Sequence, residues 1–117
     1  MIRVVGCHRE DTLILLVNGH AGFAREGNDI VCAGASALVH GLAGTLRMLD
    51  APALRVSLEK GRAQISCQSE SVLLRAAFYQ ALIGLVLLEQ EYPKHIRVST
   101  SGFFRGDDDD NQGKEIA

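Results

Sequence analysis

The chain has 117 residues, the length of one domain whose core is large enough to need no disulfide or structural metal. Its formal net charge of -2 and its scattered Lys and Arg residues give no argument for nucleic-acid binding. No secretory leader is recognisable, and the most apolar segment, residues 76–88, is too short and too interrupted for a membrane span. The sequence therefore predicts a cytoplasmic protein with no direct nucleic-acid partner and no membrane partner.

The first half of the chain predicts a hairpin, a loop and a helix. Residues 2–8 and 12–18 are rich in Val, Ile and Leu and flank a polar turn, which indicates two paired strands. Residues 18–29 contain several glycines and no apolar period, as expected of a loop. From Ile30 to Leu49, apolar residues recur at three-four spacing, and Asp29 is placed to cap that helix.

The second half repeats this order of elements without repeating the residues. Segments 54–59 and 63–67 alternate apolar and polar residues around the turn Lys60-Gly61, which predicts a second hairpin. Ser69 or Ser71 is expected to cap a helix that begins at Val72 and ends before Pro93. Residues 96–100 predict a last short strand.

The resulting fold class is α+β, in the order ββαββαβ, with a mixed or antiparallel sheet and both helices packed on one face. A single domain is expected over residues 1–105, followed by an acidic, disordered tail over 106–117 that contains four consecutive aspartates. The second helix is apolar on more than one side, so either the first helix or a second subunit must cover part of it.

The three cysteines, Cys7, Cys32 and Cys67, are widely spaced and form no CxxC pair, which favours free thiols in a reducing compartment. Cys7 and Cys67 fall in predicted strands, where packing is the expected role. The remaining histidines outside the loop are interpreted as surface or partly buried polar residues: His8, His40 and His95.

The loop and the helix start bring together residue types that suit nucleophilic catalysis. Cys32 lies in the first turn of a helix, whose partial positive charge favours a thiolate, and His20 in the preceding loop is a candidate base. Asp29 either orients that imidazole or only caps the helix. Backbone amides near Cys32, Ala33 and Gly34 are candidate oxyanion donors, and Ser36 lies one turn further along the helix.

The residues alone leave a plainer interpretation open. A cysteine in an Ala-rich helix is commonly a small buried hydrophobe, and one Cys–His pair is a weak signal. A metal site is less well supported, because two ligands twelve residues apart without a CxxC or HxxxH partner do not form a zinc pattern. No metal or cofactor is therefore predicted.

At these residues the sequence resembles the bacterial ribosomal-processing cysteine protease family. The resemblance rests on residues 19–24, Gly27, residues 29–34 and residues 36–38, and on a second segment with Glu91-Tyr92-Pro93, Ile96 and Val98. Length and element order agree from residue 1 to about residue 100. Arg25 and Ala35 depart from the family pattern, and the acidic tail is not part of it.

The resemblance implies a specific function. Members of this family remove the N-terminal extension of a large-subunit ribosomal protein, which supports ribosome assembly, and they are typically homodimers. The family's catalytic dyad falls on His20 and Cys32, and the loop containing Gly19, Gly22 and Gly27 is implied to close over substrate. An extended substrate with aromatic residues before the cut implies a hydrophobic groove.

Two other hypotheses compete with this cysteine endopeptidase, which would act through a thioester acyl-enzyme. In the first, the chain is a non-catalytic ribosome-associated module that grips a peptide while Cys32 is merely packed. In the second, Cys32 is a redox-sensing thiol, although no resolving cysteine lies near it in sequence.

Overall fold

The computed structural model describes residues 1–104. It contains five strands and two helices in the predicted order: β1 (Ile2–Arg9), β2 (Thr12–Asn18), α1 (Ile30–Met48), β3 (Arg55–Glu59), β4 (Arg62–Gln68), α2 (Val72–Glu91) and β5 (Ile96–Ser101). The predicted boundary after residue 105 and the tail 106–117 lie outside the described residues. The predicted element order and both hairpins are confirmed.

The five strands form one sheet in the order β3-β4-β2-β1-β5. Each hairpin is antiparallel, and β2 pairs with β4 to join them. The last strand returns beside β1 in parallel, with Ile2 opposite Ile96, because α2 carries the chain back across the sheet. The sheet is therefore mixed, one of the two forms that the sequence predicts.

Both helices cover the same face of the sheet, as predicted. The inward residues of the strands join the buried helix residues in one core, and Phe78 and Leu82 of α2 are fully buried within it. Gly6 of β1 leaves room for Leu82, since a Cβ on that glycine would lie 2.7 Å from a Leu82 methyl. The core thus fixes α2 directly above the central strands.

Small residues bring α1 and α2 together. Leu88 of α2 lies over Gly34 of α1, and Leu38 of α1 lies over Gly84 of α2, where a Cβ would approach within 2.6 Å. The first helix therefore covers part of the second, one of the two alternatives left open by the sequence. Val72 and Leu73 at the start of α2 remain 69% and 64% exposed.

Both helices have the length and apolar composition of a membrane span, so the sequence interpretation that the segment around residues 76–88 is too short for one does not hold for the whole of α2. Their apolar faces are instead part of the core, through residues such as Leu46 in α1 and Leu85 in α2. A core helix passes the same test of length and hydropathy, so these two helices are weak evidence for a membrane.

Arginines that are scattered in the sequence gather on the open face of the sheet. Arg3 lies beside Arg97 on the neighbouring strand, and Asn18 separates it from Arg62 on the other side. Arg9 and Arg55 share this face nearer its other end, because strand residues two apart point the same way. Two of these arginines have an acidic neighbour, since Arg97 lies 4.0 Å from Glu89 and Arg62 pairs in register with Glu59. The absence of a nucleic-acid partner stays a prediction.

Candidate active site

Cys32 is the third residue of α1, and its side chain is half-buried. The backbone N–H of Ala21 donates a hydrogen bond to its Sγ, with 3.2 Å between nitrogen and sulfur. A donor at the sulfur and the positive end of the helix both favour negative charge there. Cys32 is thus placed as a nucleophile requires, at a helix start that faces the preceding loop.

Asp29 holds the loop and the helix together with one carboxylate. Its Oδ1 accepts from the amides of Val31 and Cys32, each at 3.0 Å, and its Oδ2 accepts from Phe23 at 3.0 Å and Ala24 at 3.4 Å. These hydrogen bonds, that of Cys32 foremost, hold the pKa of Asp29 below its ordinary value of 3.8, against the opposing effect of burial. Within residues 1–104, both oxygens bind backbone amides and neither binds His20.

The helix amides proposed as oxyanion donors are already engaged. The Cys32 N–H bonds to the Asp29 side chain, and the Ala33 N–H donates to the Asp29 carbonyl at 3.0 Å. Gly34 lies one residue further into α1, where its N–H pairs with the carbonyl of Ile30. The oxyanion role of these amides stays a prediction, and in the arrangement seen the cap and the helix take up the donors.

His20 is exposed, and its ring rests against Gly61 in the turn between β3 and β4. A Cβ built on Gly61 would lie 2.7 Å from His20 Nε2, and the φ of Gly61 is +74°. The Gly19 N–H donates to the Gly61 carbonyl at 2.8 Å, which fixes the turn beside the loop. Among the described residues, no hydrogen bond joins the His20 ring to Cys32, so the predicted dyad would require the ring to turn from Gly61 towards the sulfur.

His20 and Cys32 nevertheless line the same groove. It has a volume of about 850 Å³ and lies between the loop, the first turns of α1 and the β3–β4 hairpin. Its apolar wall includes Val39 and Leu58, and its polar rim includes His40 and Arg62. The groove has the partly apolar lining that the resemblance implies for an extended peptide.

The loop between β2 and α1 is anchored in its first part. The Phe23 ring packs edge-on against Tyr92 and His95, each with ring centroids 5.3 Å apart. The second part, residues 25–28, is exposed, and Glu26 forms an ion pair with Lys60 of the opposite hairpin. Gly22 and Gly27 have φ of +66° and +91°, and a Cβ on either would meet nothing within 4 Å. Loop closure over substrate stays a prediction.

The supporting candidates divide into groove residues and packing residues. Ser36 and Ala33 are exposed and line the groove, as does Gly19, whereas Gly34 packs against Leu88. Ala35 is buried in the core, and Arg25 is exposed in the loop.

Three contributors to the site were not expected from the sequence: the Ala21 amide, Gly61 and His95. The turn around Gly61 was recognisable from its residues, but its contact with His20 depends on pairing between strands far apart in sequence. The same holds for His95, whose partner in the loop is 74 residues away.

The other two thiols lie outside the groove. Cys67 is 2% exposed, and burial raises its pKa above the ordinary value. Cys7 is half-buried on the open face of the sheet. Within the described part of the chain, no group of three or more His, Cys, Asp or Glu side chains is arranged to hold a metal ion.

Comparison with known proteins supports a peptidase. The family model described as cysteine protease Prp matches residues 1–97, whereas no curated protein matches the chain. The essential ribosomal processing protease Prp of S. aureus, solved with a covalently linked product peptide, has a TM-score of 0.77 at 27% identity. That match covers 86% of this chain and 99% of the other.

Two further structures share the fold. The S. aureus protease solved with a substrate peptide has a TM-score of 0.72 at 25% identity, over 86% of this chain and 99% of that one. A protein from Streptococcus mutans has a TM-score of 0.65 at 24% identity, over 86% of this chain and 94% of its own. The latter likeness shows the fold alone.

Proposed function

The chain belongs to the cysteine protease Prp family, and we propose that it is a cysteine endopeptidase that removes the N-terminal extension of a large-subunit ribosomal protein. The observation that carries this proposal is Cys32 at the start of α1, with the Ala21 amide on its sulfur and His20 in the same groove. The related S. aureus protease, solved with substrate and product peptides, supports the peptide as the class of substrate.

In the proposed mechanism, His20 takes the thiol proton of Cys32, and the thiolate attacks the scissile carbonyl carbon. The S–C bond forms, the C–N bond breaks, and the amine leaves with the proton returned by His20, so a thioester acyl-enzyme remains. Water then attacks the thioester while His20 accepts its proton, which releases the new carboxylate and restores the thiol. The reaction needs no metal or cofactor.

The groove suits an extended peptide with apolar side chains. Val39 of α1 and Leu58 and Ala63 of the hairpin line it, so aromatic residues before the cut would be shielded from water there. The ion pair between Glu26 and Lys60 crosses from loop to hairpin, and it is expected to break or shift when the groove is occupied.

Replacing the nucleophile tests the proposal most directly. Cys32→Ala should abolish cleavage of a peptide that spans the extension junction, while the matched variant Cys7→Ala should cleave it at the wild-type rate. The readout is product formation followed by mass spectrometry. Normal cleavage by Cys32→Ala would refute the proposal.

Alkylation separates the peptidase from a peptide-binding module. With a limiting iodoacetamide reagent near neutral pH, an activated Cys32 should be modified well before Cys67, whose thiol is buried, and before Cys7. A merely packed Cys32 predicts no preference over Cys7. Peptide mapping of the modified protein gives the answer without any substrate.

We also propose that the protein acts as a cytoplasmic homodimer, with Val72 and Leu73 at its interface. Both side chains are exposed apolar residues at the start of α2, where contact with a second copy would remove them from water. Replacing both with Ser should yield a folded monomer in light scattering after size exclusion. A wild-type chain that is monomeric at all concentrations would refute the homodimer.

A further inference from the structure

His95 contacts the catalytic loop although the proposed mechanism gives it no role. Its Nδ1 lies 2.9 Å from the carbonyl oxygen of Ala21, and its side chain is half-buried between the end of α2 and the loop. A carbonyl oxygen only accepts hydrogen bonds, so Nδ1 must carry the proton and donate it. The ring orientation is thereby fixed at one nitrogen.

The backbone of His95 is itself held firmly. Its N–H donates to the Tyr92 carbonyl at 2.9 Å, and its carbonyl accepts from the N–H of Ile2 at 2.9 Å. Its ring also meets the Phe23 ring edge-on, with centroids 5.3 Å apart. The donor at Nδ1 is therefore presented to the loop from a rigid turn between α2 and β5.

Ala21 connects this histidine to the nucleophile. Its carbonyl accepts from His95, its N–H donates to Cys32 Sγ at 3.2 Å, and its side chain is only 2% exposed. The same N–H belongs to the peptide bond that follows His20. Fixing Ala21 thus fixes the backbone of the candidate base relative to the sulfur of the candidate nucleophile.

We propose that His95 is a positioning residue that holds the Ala21 N–H on the reacting sulfur. This inference rests on the proposed function and deepens it. The N–H stabilises the thiolate that forms when His20 takes the proton from Cys32. When the S–C bond forms, negative charge develops on the carbonyl oxygen of the attacked peptide bond. That oxygen is bonded to the carbon that Sγ attacks, so the Ala21 N–H lies beside it. The Ala21 N–H is needed there because the N–H groups of Cys32 and Ala33 already donate hydrogen bonds to Asp29.

A pair of variants separates positioning from packing. His95→Asn keeps an N–H donor near the place of Nδ1, whereas His95→Leu keeps apolar volume and removes the donor. His8→Leu is the matched control, since His8 is also half-buried and packs against an aromatic ring, Phe103, away from the groove.

The first readout is the alkylation rate of Cys32 as a function of pH, followed by peptide mapping. His95→Leu should move the half-maximal rate to higher pH, and His95→Asn should restore the wild-type profile. The second readout is peptide cleavage. His95→Leu should lower kcat by about 10- to 100-fold, as expected for a misplaced reacting group, with little change in KM. His8→Leu should leave both readouts at wild-type values.

An unchanged alkylation profile in His95→Leu would overturn the inference, as would an Asn variant that is as impaired as the Leu variant. Alkylation needs no substrate, so it tests the positioning role of His95 even if the chosen peptide is never cleaved. If His95→Leu does not fold, the inference is tested on the wild-type protein by the ¹⁵N NMR signals of the His95 ring nitrogens. A neutral His95 ring with the proton on Nδ1 supports the inference, and one with a bare Nδ1 overturns it.

Discussion

The two places where a hairpin passes into a helix differ although their element order is the same. Between β2 and α1 lies an 11-residue loop ending at Asp29, whereas β4 and α2 are joined by Ser69, Glu70 and Ser71 alone. Asp29 binds four backbone amides, two in the helix and two in the loop, while Ser71 binds the Leu74 amide at 3.3 Å. Both residues cap a helix, but only Asp29 also holds a loop.

This difference favours the first junction as the place of the candidate site. A helix start offers a partial positive charge at both junctions, so that charge alone does not define a site. The long loop adds a histidine, an amide aimed at the sulfur and one wall of a groove. The carboxylate cap then fixes these additions to the helix that carries Cys32.

The largest effect is expected from changing the cap chemistry at the first junction. Asp29→Asn keeps one oxygen for Val31 and Cys32 but turns an amide NH₂ towards the N–H groups of Phe23 and Ala24. The helix cap should be retained, while the loop loses the hydrogen bonds that hold Phe23 and Ala24. For that reason kcat for the peptide should fall by about 100-fold. Circular dichroism should show unchanged helix content. Wild-type kcat in this variant would mean that the hydrogen bonds between Asp29 and the loop are not needed for catalysis.

The next effect is expected at the hairpin that faces the loop. Gly61→Ala places a methyl group against the His20 ring and strains a backbone with φ of +74°, so kcat should fall by about 10-fold. The control is Glu10→Ala in the β1–β2 turn, where a side chain already occupies a φ of +53°. That variant should cleave at the wild-type rate, and equal losses in both would show that changing either turn lowers kcat, so that the contact with His20 would no longer explain the loss.

The two caps should also differ in their response to pH. Because the pKa of Asp29 is lowered in the folded chain, its contribution to stability is present above 3.8 and is lost as the pH falls through the folded value. The difference in Tm between wild type and Asp29→Asn should therefore be widest near neutral pH and narrow below 3.8. For Ser71→Ala it should stay constant over the same range. A constant difference for both variants would contradict the assigned shift.

Local patterns were enough to predict most of the fold. The three-four spacing after Ile30, the alternation around Lys60-Gly61 and the stop at Pro93 each predict an element that the structure contains. The choice between a mixed and an antiparallel sheet was open, because it depends on β5 pairing with β1 across more than ninety residues. No local pattern specifies that return.

The site was predictable only where it is local. The placement of Cys32 near a helix start and Asp29 as its cap follows from a few neighbouring residues. The contacts of His20 with Gly61 and of Ala21 with His95 depend on strand register and on the crossover of α2, so spacing in the sequence does not reveal them. The engagement of the Cys32 and Ala33 amides by Asp29 is local, and it belongs to the same helix cap that the sequence predicts.

The smallest effect is expected at the second junction. Ser71→Ala removes one neutral cap at the start of α2, which should lower the free energy of unfolding by about 1 kcal/mol. Cleavage should be unchanged, because the capped amide belongs to Leu74, a core residue that does not line the groove. Urea denaturation and peptide cleavage measure the two quantities on the same preparation. A loss of kcat comparable to that of Asp29→Asn would show that the two junctions are coupled through the packing of α1 on α2, and the contrast between them would no longer explain where the site lies.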